Sequence, residues 1–385
     1  MKRFVKAYFK KSESQLSPVN IPVIELTRRA LICGTLSAKG ILLLALYYLK
    51  LIVVMPAAFL QYLFYSRRIN KIVITKQPVF IIGHYRSGTT YLHNLLASDN
   101  RFAYLSNYDM ICPNSSLLFG KWLQNLLQYF INSFKLKTSF FNNKIPFLED
   151  PAEEERFLIN QGCAYTDYWR FVFPLCWNKL LSCSQLSKNP NYYQRWKKAY
   201  ISLLKLITFK NKGRQLVLKS PPNTSRIKYL LEIFPDAKFI YIYRNPYHIF
   251  YSMCNLWNKA IRKFCLQKIS DEQIEAIVFN EYIHLVDQYE KDKILIPAGN
   301  LTEVQYEELE ANPVKVLRSI YKELNFQNFE AVLNKLMHQL QKESRYQKFE
   351  YTYREETFKK IEKSWGKYIH QWKQKVSVAT VKDYI

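Results

Sequence analysis

Pro78-Val79-Phe80-Ile81-Ile82-Gly83-His84-Tyr85-Arg86-Ser87-Gly88-Thr89-Thr90-Tyr91-Leu92 is the stretch on which the fold turns. An apolar run of strand length stops at Gly83, a short loop follows, and from Gly88 the residues Thr90, Tyr91, Leu92, Leu95 and Leu96 recur with helical spacing. A strand that feeds a glycine-flanked loop into a helix N-terminus aims several backbone N–H groups and the positive end of the helix dipole at one point, which suits an anion. The two glycines allow close approach of the backbone, and Ser87, Thr89 and Thr90 add hydroxyl donors.

Gly83 and Gly88 have the G-x-x-x-x-G spacing of a Walker A loop, but Thr89 stands where that loop's lysine belongs, and the local cation is Arg86. The departure points away from ATP. Further along, Leu216-Val217-Leu218-Lys219 reads as a short strand, Ser220 to Thr224 as a loop, and Ser225 to Phe234 as a helix with Ile227, Leu230, Leu231 and Phe234 on one face. Lys238 to Tyr243 is a second fully apolar-type strand, followed by Arg244-Asn245-Pro246 and another helix. Strand, crossover helix and strand in this order predict a parallel pair. Ligands of such sheets bind beyond the carboxyl ends of the strands, so Gly83, Lys219 and Arg244 are expected to converge. Leu301 to Leu309 reads as one more strand running into a turn, Asn312-Pro313 opens a helix through Leu324, and the Lys-rich tail to Ile385 is helical with Trp365, Tyr368, Ile369 and Trp372 as anchors.

Upstream of the loop, residues 1 to about 40 are basic, with Lys2, Arg3, Lys6, Lys10, Lys11, Arg28 and Arg29, and lack the layout of a cleavable signal peptide. Ile41 to Tyr65 is apolar apart from Lys50. A continuous helix of that length reaches roughly 37 Å, against about 30 Å of bilayer core, yet Lys50 and Pro56 sit near its middle. Three readings stay open: a kinked spanning helix, a helical hairpin in one leaflet, or a core-packed helix. Basic residues on both sides (Arg28, Arg29 and Lys39; Arg67, Arg68, Lys71 and Lys76) give no orientation by the positive-inside rule and fit the interfacial reading best. Between Ser98 and Asp150 the chain is aromatic and rich in Asn and Ser, with helical periodicity around Leu117 to Phe134. In Glu149-Asp150-Pro151-Ala152-Glu153-Glu154-Glu155, Pro151 is expected in the first turn of a helix whose dipole favours the acids.

The 385 residues suffice for a sizeable core, and 9 glycines with 15 prolines argue against a low-complexity chain. A net charge of +25 favours polyanionic partners: acidic head groups, a highly charged nucleotide or nucleic acid. The lysines are dispersed and no zinc-finger or RNP spacing occurs, so nucleic acid is not expected. Seven cysteines form no metal-ligand spacing and read as buried free thiols.

Three ordered blocks, GHYRSGTTYLHNLL, LVLKSPPNTSRIKYLLEIFPDAKFIYIYRNP and the helix carrying Ser252, with a weaker YEEL-x2-NP at 306 to 313, resemble the sulfotransferase superfamily over roughly residues 76 to 325. The chain is similar in particular to the broad, largely bacterial branch with a G-H-x-R-S-G-T-T loop. The resemblance implies a P-loop-like α/β domain, a central parallel sheet flanked by helices, at 76–385, preceded by a basic, apolar membrane-associating region at 1–75. It implies transfer of a sulfonate from 3′-phosphoadenosine 5′-phosphosulfate (PAPS) to a hydroxyl or amine of a small-molecule, lipid or glycan acceptor, with no metal. Arg86, Ser87, Gly88, Thr89 and Thr90 would hold the 5′-phosphosulfate, Arg244 and Ser252 the 3′-phosphate, and Lys219 would contact the transferring sulfonate together with Arg86. Asn223 stands where the branch often carries a histidine, so the base falls to Glu153 or Glu155, with His84 a rival. A nucleotide kinase and a nucleotide-binding membrane-surface protein without turnover are the alternatives. Sequons occur at Asn114, Asn223 and Asn300, but Asn223 lies inside the catalytic turn, where a glycan has no room, which favours a cytosolic-facing or bacterial enzyme over a Golgi-lumen one; with the apolar segment, the expectation is a membrane-associated protein with its catalytic domain facing the cytoplasm.

Overall fold

Val79–Ile82 forms strand β1, and all four of its side chains are buried. In the computed structural model, which describes residues 22–134, 147–184, 186, 189–343 and 355–375, the chain divides into two compact units. The basic residues Lys2, Arg3, Lys6, Lys10 and Lys11, the part of the aromatic insert at 135–146, and the tail stretches 344–354 and 376–385 lie outside the described residues.

The unit built from 77–102, 215–258 and 270–385 carries the sheet. β2 is Phe102–Ala103, β3 Gln215–Lys219, β4 Lys238–Tyr243 and β5 Leu301–Gln305, in the order β2-β3-β1-β4-β5. β1 pairs in parallel with both β3 and β4, Phe80 lying opposite Leu218 and Phe239, and β4 pairs in parallel with β5. Runs of consecutive apolar residues suit these inner strands, because both faces of a parallel sheet are covered. Phe80 and Phe239, on adjacent strands, pack with ring centroids 5.4 Å apart. The predicted parallel arrangement is therefore present.

Two local expectations are corrected here. The strand from Leu301 stops at Gln305, and Tyr306–Ala311 is a helix; Glu307 and Glu308 fall in its first turn, where the dipole favours acids. Ser225 is the last residue of a 3-10 turn, Pro221–Ser225, and the helix that follows is Ile227–Ile233. The tail anchors are as expected. Trp365, Tyr368, Ile369 and Trp372 of the Glu355–Lys375 helix are buried, and Trp365 stacks on Tyr282 at 4.1 Å while its indole N–H donates to the Phe279 carbonyl at 3.2 Å.

The other unit comprises 1–76, 103–214 and 259–269, described from residue 22. Its longest helix, Ala38–Asn70, is bent by 43° between Ala38–Lys50 and Ile52–Asn70. The cause is Pro56, whose ring crowds the carbonyl four residues earlier, that of Ile52. No single described helix is long and apolar enough to cross a membrane. Gly40 lets this helix touch another segment closely, since a Cβ there would lie 2.2 Å from the Leu266 carbonyl oxygen, and Ser37 caps the helix while its own N–H donates to the same oxygen. Leu43, Leu44 and Tyr47 pack on a core of Leu26, Trp169, Phe173, Leu180 and Leu266. Pro151 does not open a helix. It bridges in extended form to Ser106, Ala152 N–H bonds the Leu105 carbonyl, and the helix begins only at Glu154. Six described cysteines, 33, 112, 163, 176, 254 and 265, are free thiols.

Candidate active site

The loop after β1 winds through three left-handed positions, Gly83 at φ 144°, Arg86 at 68° and Gly88 at 100°. Both glycines are required by contact as well as by φ. A Cβ on Gly83 would lie 2.3 Å from the Ile242 carbonyl oxygen, and one on Gly88 would lie 2.1 Å from Tyr306 Cδ2. Gly88 is the N-cap of the Thr89–Leu96 helix and supplies no side-chain cap, so that helix start presents its N–H groups at the loop. Ser87 turns inward. Its hydroxyl donates to the His84 carbonyl at 2.7 Å and thereby braces the turn.

Around this loop, within one unit, stand the cations that the sequence singled out. Lys219, at the end of β3 and buried, donates from Nζ to Thr90 Oγ1 at 3.2 Å, in the first turn of the loop's helix. Arg86 Nε donates to Ser252 Oγ at 2.8 Å, which joins the loop to the Pro246–Leu256 helix two turns in. Arg244, just past β4, donates from a terminal guanidinium nitrogen to the Arg86 carbonyl at 3.3 Å, while its Nε is buried without a partner. The convergence of Gly83, Lys219 and Arg244 beyond the carboxyl ends of β1, β3 and β4 is thus a fact of the structure.

Three supporting residues were not singled out by sequence. Tyr306 lies against Gly88 and also carries the Arg244 guanidinium 4.2 Å from its ring centroid, a cation–π contact that helps to hold the charge in place. Glu307 accepts from the Asn245 N–H at 3.0 Å; burial pushes its carboxyl above the ordinary carboxylate range, against that N–H and the charge of Arg244. Thr224 clasps Gly83, accepting from its N–H at 2.8 Å and donating to its carbonyl at 3.0 Å, so the turn after β3 is locked to the loop after β1. Tyr306 and Glu307 stand in the YEEL block and Thr224 beside Asn223, and the run of matching blocks was the one available signal for them.

His84 is buried. Its Nδ1 donates to the Tyr85 carbonyl at 2.7 Å, since a carbonyl only accepts, and Nε2 has no partner. Burial lowers its pKa from 6.5 to about 4. An imidazole so weakly basic is a poor proton acceptor at neutral pH. Asn223 is buried in the 3-10 turn, where its N–H donates to the Ser220 carbonyl at 2.9 Å.

Glu153 and Glu155 belong to the other unit. Glu155 is buried and accepts from the Thr166 hydroxyl and, at 2.9 Å, from the Asp167 N–H. Glu153 accepts from the Tyr168 hydroxyl and pairs with Arg156 at 3.3 Å, and burial with the nearby carboxylate pushes the Tyr168 phenol far up. Among the described residues, no group of three or more His, Cys, Asp and Glu side chains is placed to hold a metal ion.

A parallel sheet whose central strand ends in a glycine-bounded, cation-lined helix start defines an anion-binding α/β protein of the phosphate-cradle kind. Residues 78–331 match the sulfotransferase family, and the chain belongs to it. Over 267 residues it is 30% identical to the omega-hydroxy-beta-dihydromenaquinone-9 sulfotransferase Stf3 of Mycobacterium bovis, a match covering 69% of this chain and 66% of the relative. The Mycobacterium tuberculosis protein of the same name gives the same figures. The match thus spans slightly less than two thirds of those relatives' length. The structure is similar to sulfotransferase STF9 of Mycobacterium avium, with a TM-score of 0.67 at 16% identity, over 92% of this chain and 97% of that one. It is also similar to sulfotransferase STF1 of Mycobacterium tuberculosis, with a TM-score of 0.62 at 16% identity, over 81% and 86% of the two chains. At such identity the likeness is one of fold, and it agrees with the α/β class expected from the sequence.

Proposed function

We propose that the chain transfers a sulfonate group from PAPS to a hydroxyl of a lipid acceptor. The observation that carries the proposal is the gathering of Lys219, Arg86, Arg244 and Ser252 about one helix start in a member of the sulfotransferase family. The lipid part rests on the similarity to the omega-hydroxy-beta-dihydromenaquinone-9 sulfotransferases.

The residues fit such a donor. Gly83 and Gly88 let the loop close against the Ile242 carbonyl and the Tyr306 ring, where a Cβ would clash, and Arg244 keeps a buried Nε–H with no protein partner. In this reading the loop N–H groups with Arg86, Thr89 and Thr90 hold the 5′ end, Ser87 braces the loop, and Arg244 with Ser252 holds the 3′-phosphate. The bond from Arg86 to Ser252 ties the two grips together. The donor supplies a sulfonate already activated by its phosphate leaving group. Lys219, at the end of β3 and bonded to Thr90 in the first turn of the cradle helix, stabilises the charge that develops on the sulfonate oxygens. Proton removal from the acceptor is assigned to Glu153 or Glu155, and Glu→Gln variants at each position separate the two. His84, beside the cradle with its Nε2 unpartnered and its pKa lowered by burial, is the rival for that role. The catalytic portion faces the cytoplasm, with residues 1–75 as the membrane-associating region.

Incubation with radiolabelled PAPS and a total lipid extract tests the reading. Label should enter the organic phase with the natural chain, and Lys219→Ala should lower the rate by about a hundredfold or more, the scale of a lost charge-stabilising donor. A chain that binds the nucleotide yet labels no lipid, glycan or soluble hydroxyl fraction is not a sulfotransferase by activity.

A further inference from the structure

The Ala38–Asn70 helix covers its inward face and leaves the outward one bare. Leu42, Leu46, Leu49, Val53, Leu60 and Leu63 recur at helical spacing and are all exposed, Val53 by 73%. The Ser116–Ser133 helix of the same unit, kinked at Gly120, exposes Phe119 before the kink and Trp122, Leu126, Tyr129 and Phe130 after it, Trp122 and Tyr129 each by 67%. The two helices are tied together by Gln61. Its amide N–H donates to the Pro113 carbonyl at 3.0 Å and its oxygen accepts from the N–H groups of Leu117 and Leu118 at 2.8 and 3.3 Å, capping a helix whose own N-cap, Ser115, makes no side-chain cap bond.

We propose that these two helices form one docking surface that enters a single leaflet of an anionic membrane and lies in its plane. The apolar area alone would fit several partners, and charge selects among them. No Asp or Glu occurs between Glu25 and Asp99, nor between Asp109 and Glu149, whereas Lys39, Lys50, Arg67, Arg68, Lys71 and Lys121 are exposed on or beside the two helices. Anionic head groups reward each such cation by about 1 kcal/mol. A second copy of the chain would instead bring two sets of the same cations face to face, and a nucleic acid would leave the apolar face wet. Trp122 and Tyr129 are the residue types that settle at the head-group level.

The halves Ala38–Lys50 and Ile52–Asn70 reach about 20 and about 28 Å, so that each alone falls short of a core of about 30 Å while the bent pair together is long and apolar enough to cross; Lys50, exposed at the break, is what favours the in-plane course. A lysine there reaches head groups easily from an interfacial helix, and only at a cost of several kcal/mol from the middle of a spanning one. The surface deepens the proposal of a membrane-borne acceptor, yet it rests on exposure and charge and needs no nucleotide to be tested.

The experiment is co-sedimentation of the full chain with vesicles of phosphatidylcholine alone and with one third phosphatidylglycerol, with folding of each variant checked by circular dichroism. The natural chain should sediment with the anionic vesicles and be released in part by high salt. Trp122→Ser/Phe130→Ser and Leu46→Gln/Val53→Gln should each weaken binding by about tenfold or more. Brominated acyl chains should quench the natural chain more than Trp122→Phe. The proposal is overturned if the natural chain stays in the supernatant, if both double variants bind like it, or if light scattering shows a dimer that the same variants dissolve.

Discussion

Replacing Arg244 by Ala should weaken binding of adenosine 3′,5′-bisphosphate without an equal effect on adenosine 5′-monophosphate. The guanidinium is held by the Arg86 carbonyl at 3.3 Å and the Tyr306 ring at 4.2 Å, which leaves its buried Nε–H with no protein acceptor. A phosphate that takes this donor gains a charge-assisted hydrogen bond worth about 1.5 to 3 kcal/mol, a factor of roughly 10 to 150 in Kd. The Tyr306 stack contributes about 0.5 to 2 kcal/mol to holding the side chain, and it is lost in the variant whether or not nucleotide is bound. Arg244→Lys keeps the charge but loses the planar stack and the fork, so it should fall between the two. Calorimetric titration of the three proteins with both nucleotides gives the answer directly. If Arg244→Ala binds both nucleotides as the natural chain does, or loses the same factor for each, Arg244 does not hold the 3′-phosphate.

Gly88→Ala adds left-handed strain of about 1 to 2 kcal/mol to a Cβ contact of 2.1 Å with Tyr306, and chemical denaturation should read a loss of at least about 2 kcal/mol; an unchanged midpoint would contradict the close packing of the loop. Thr224→Val leaves both the N–H and the carbonyl of Gly83 without their clasp and should lower stability by about 1 to 3 kcal/mol, read the same way, with retention of full stability counting against the clasp. His84 is held neutral, its pKa lowered from 6.5 to about 4, so its contribution is complete above pH 6.5 and is lost as pH falls toward 4. Relative to His84→Gln, the natural chain should lose roughly 3 kcal/mol of stability over that window, and parallel pH profiles would show that the imidazole is not buried as described.

The parts of this molecule that could be read from sequence are those whose cause is local. Val79 to Ile82 is apolar without alternation because both its faces are covered, and that pattern announces a central parallel strand. Gly83 and Gly88 mark the cradle because no other residue combines the required φ with the available space. Lys219 and Arg244 followed from their positions at strand ends. What escaped depends on contacts between distant segments. Nothing near Gly88 in the chain reveals that Tyr306 lies against it, and Leu301 to Leu309 reads as a strand running into a turn although the acids at 307 and 308 stand in the first turn of a helix, Glu307 being held by the Asn245 N–H. Pro151 was expected to start a helix because its ring allows it, but the antiparallel bridge with Ser106 keeps that residue extended. Pro56 announced a kink, and the structure adds its size, 43°, and the apolar face that the helix leaves exposed. The engagement of Glu153 with Tyr168 and of Glu155 with Thr166 likewise has no sequence signal.

The most direct measurement is a crystal structure of the chain with adenosine 3′,5′-bisphosphate. One phosphate should lie against the N–H groups of residues 86–90 within reach of Lys219, and the other should accept from Arg244 and Ser252. Density for the nucleotide at any other place, or a cradle left empty at saturating nucleotide, would contradict the assignment of this loop as the donor site.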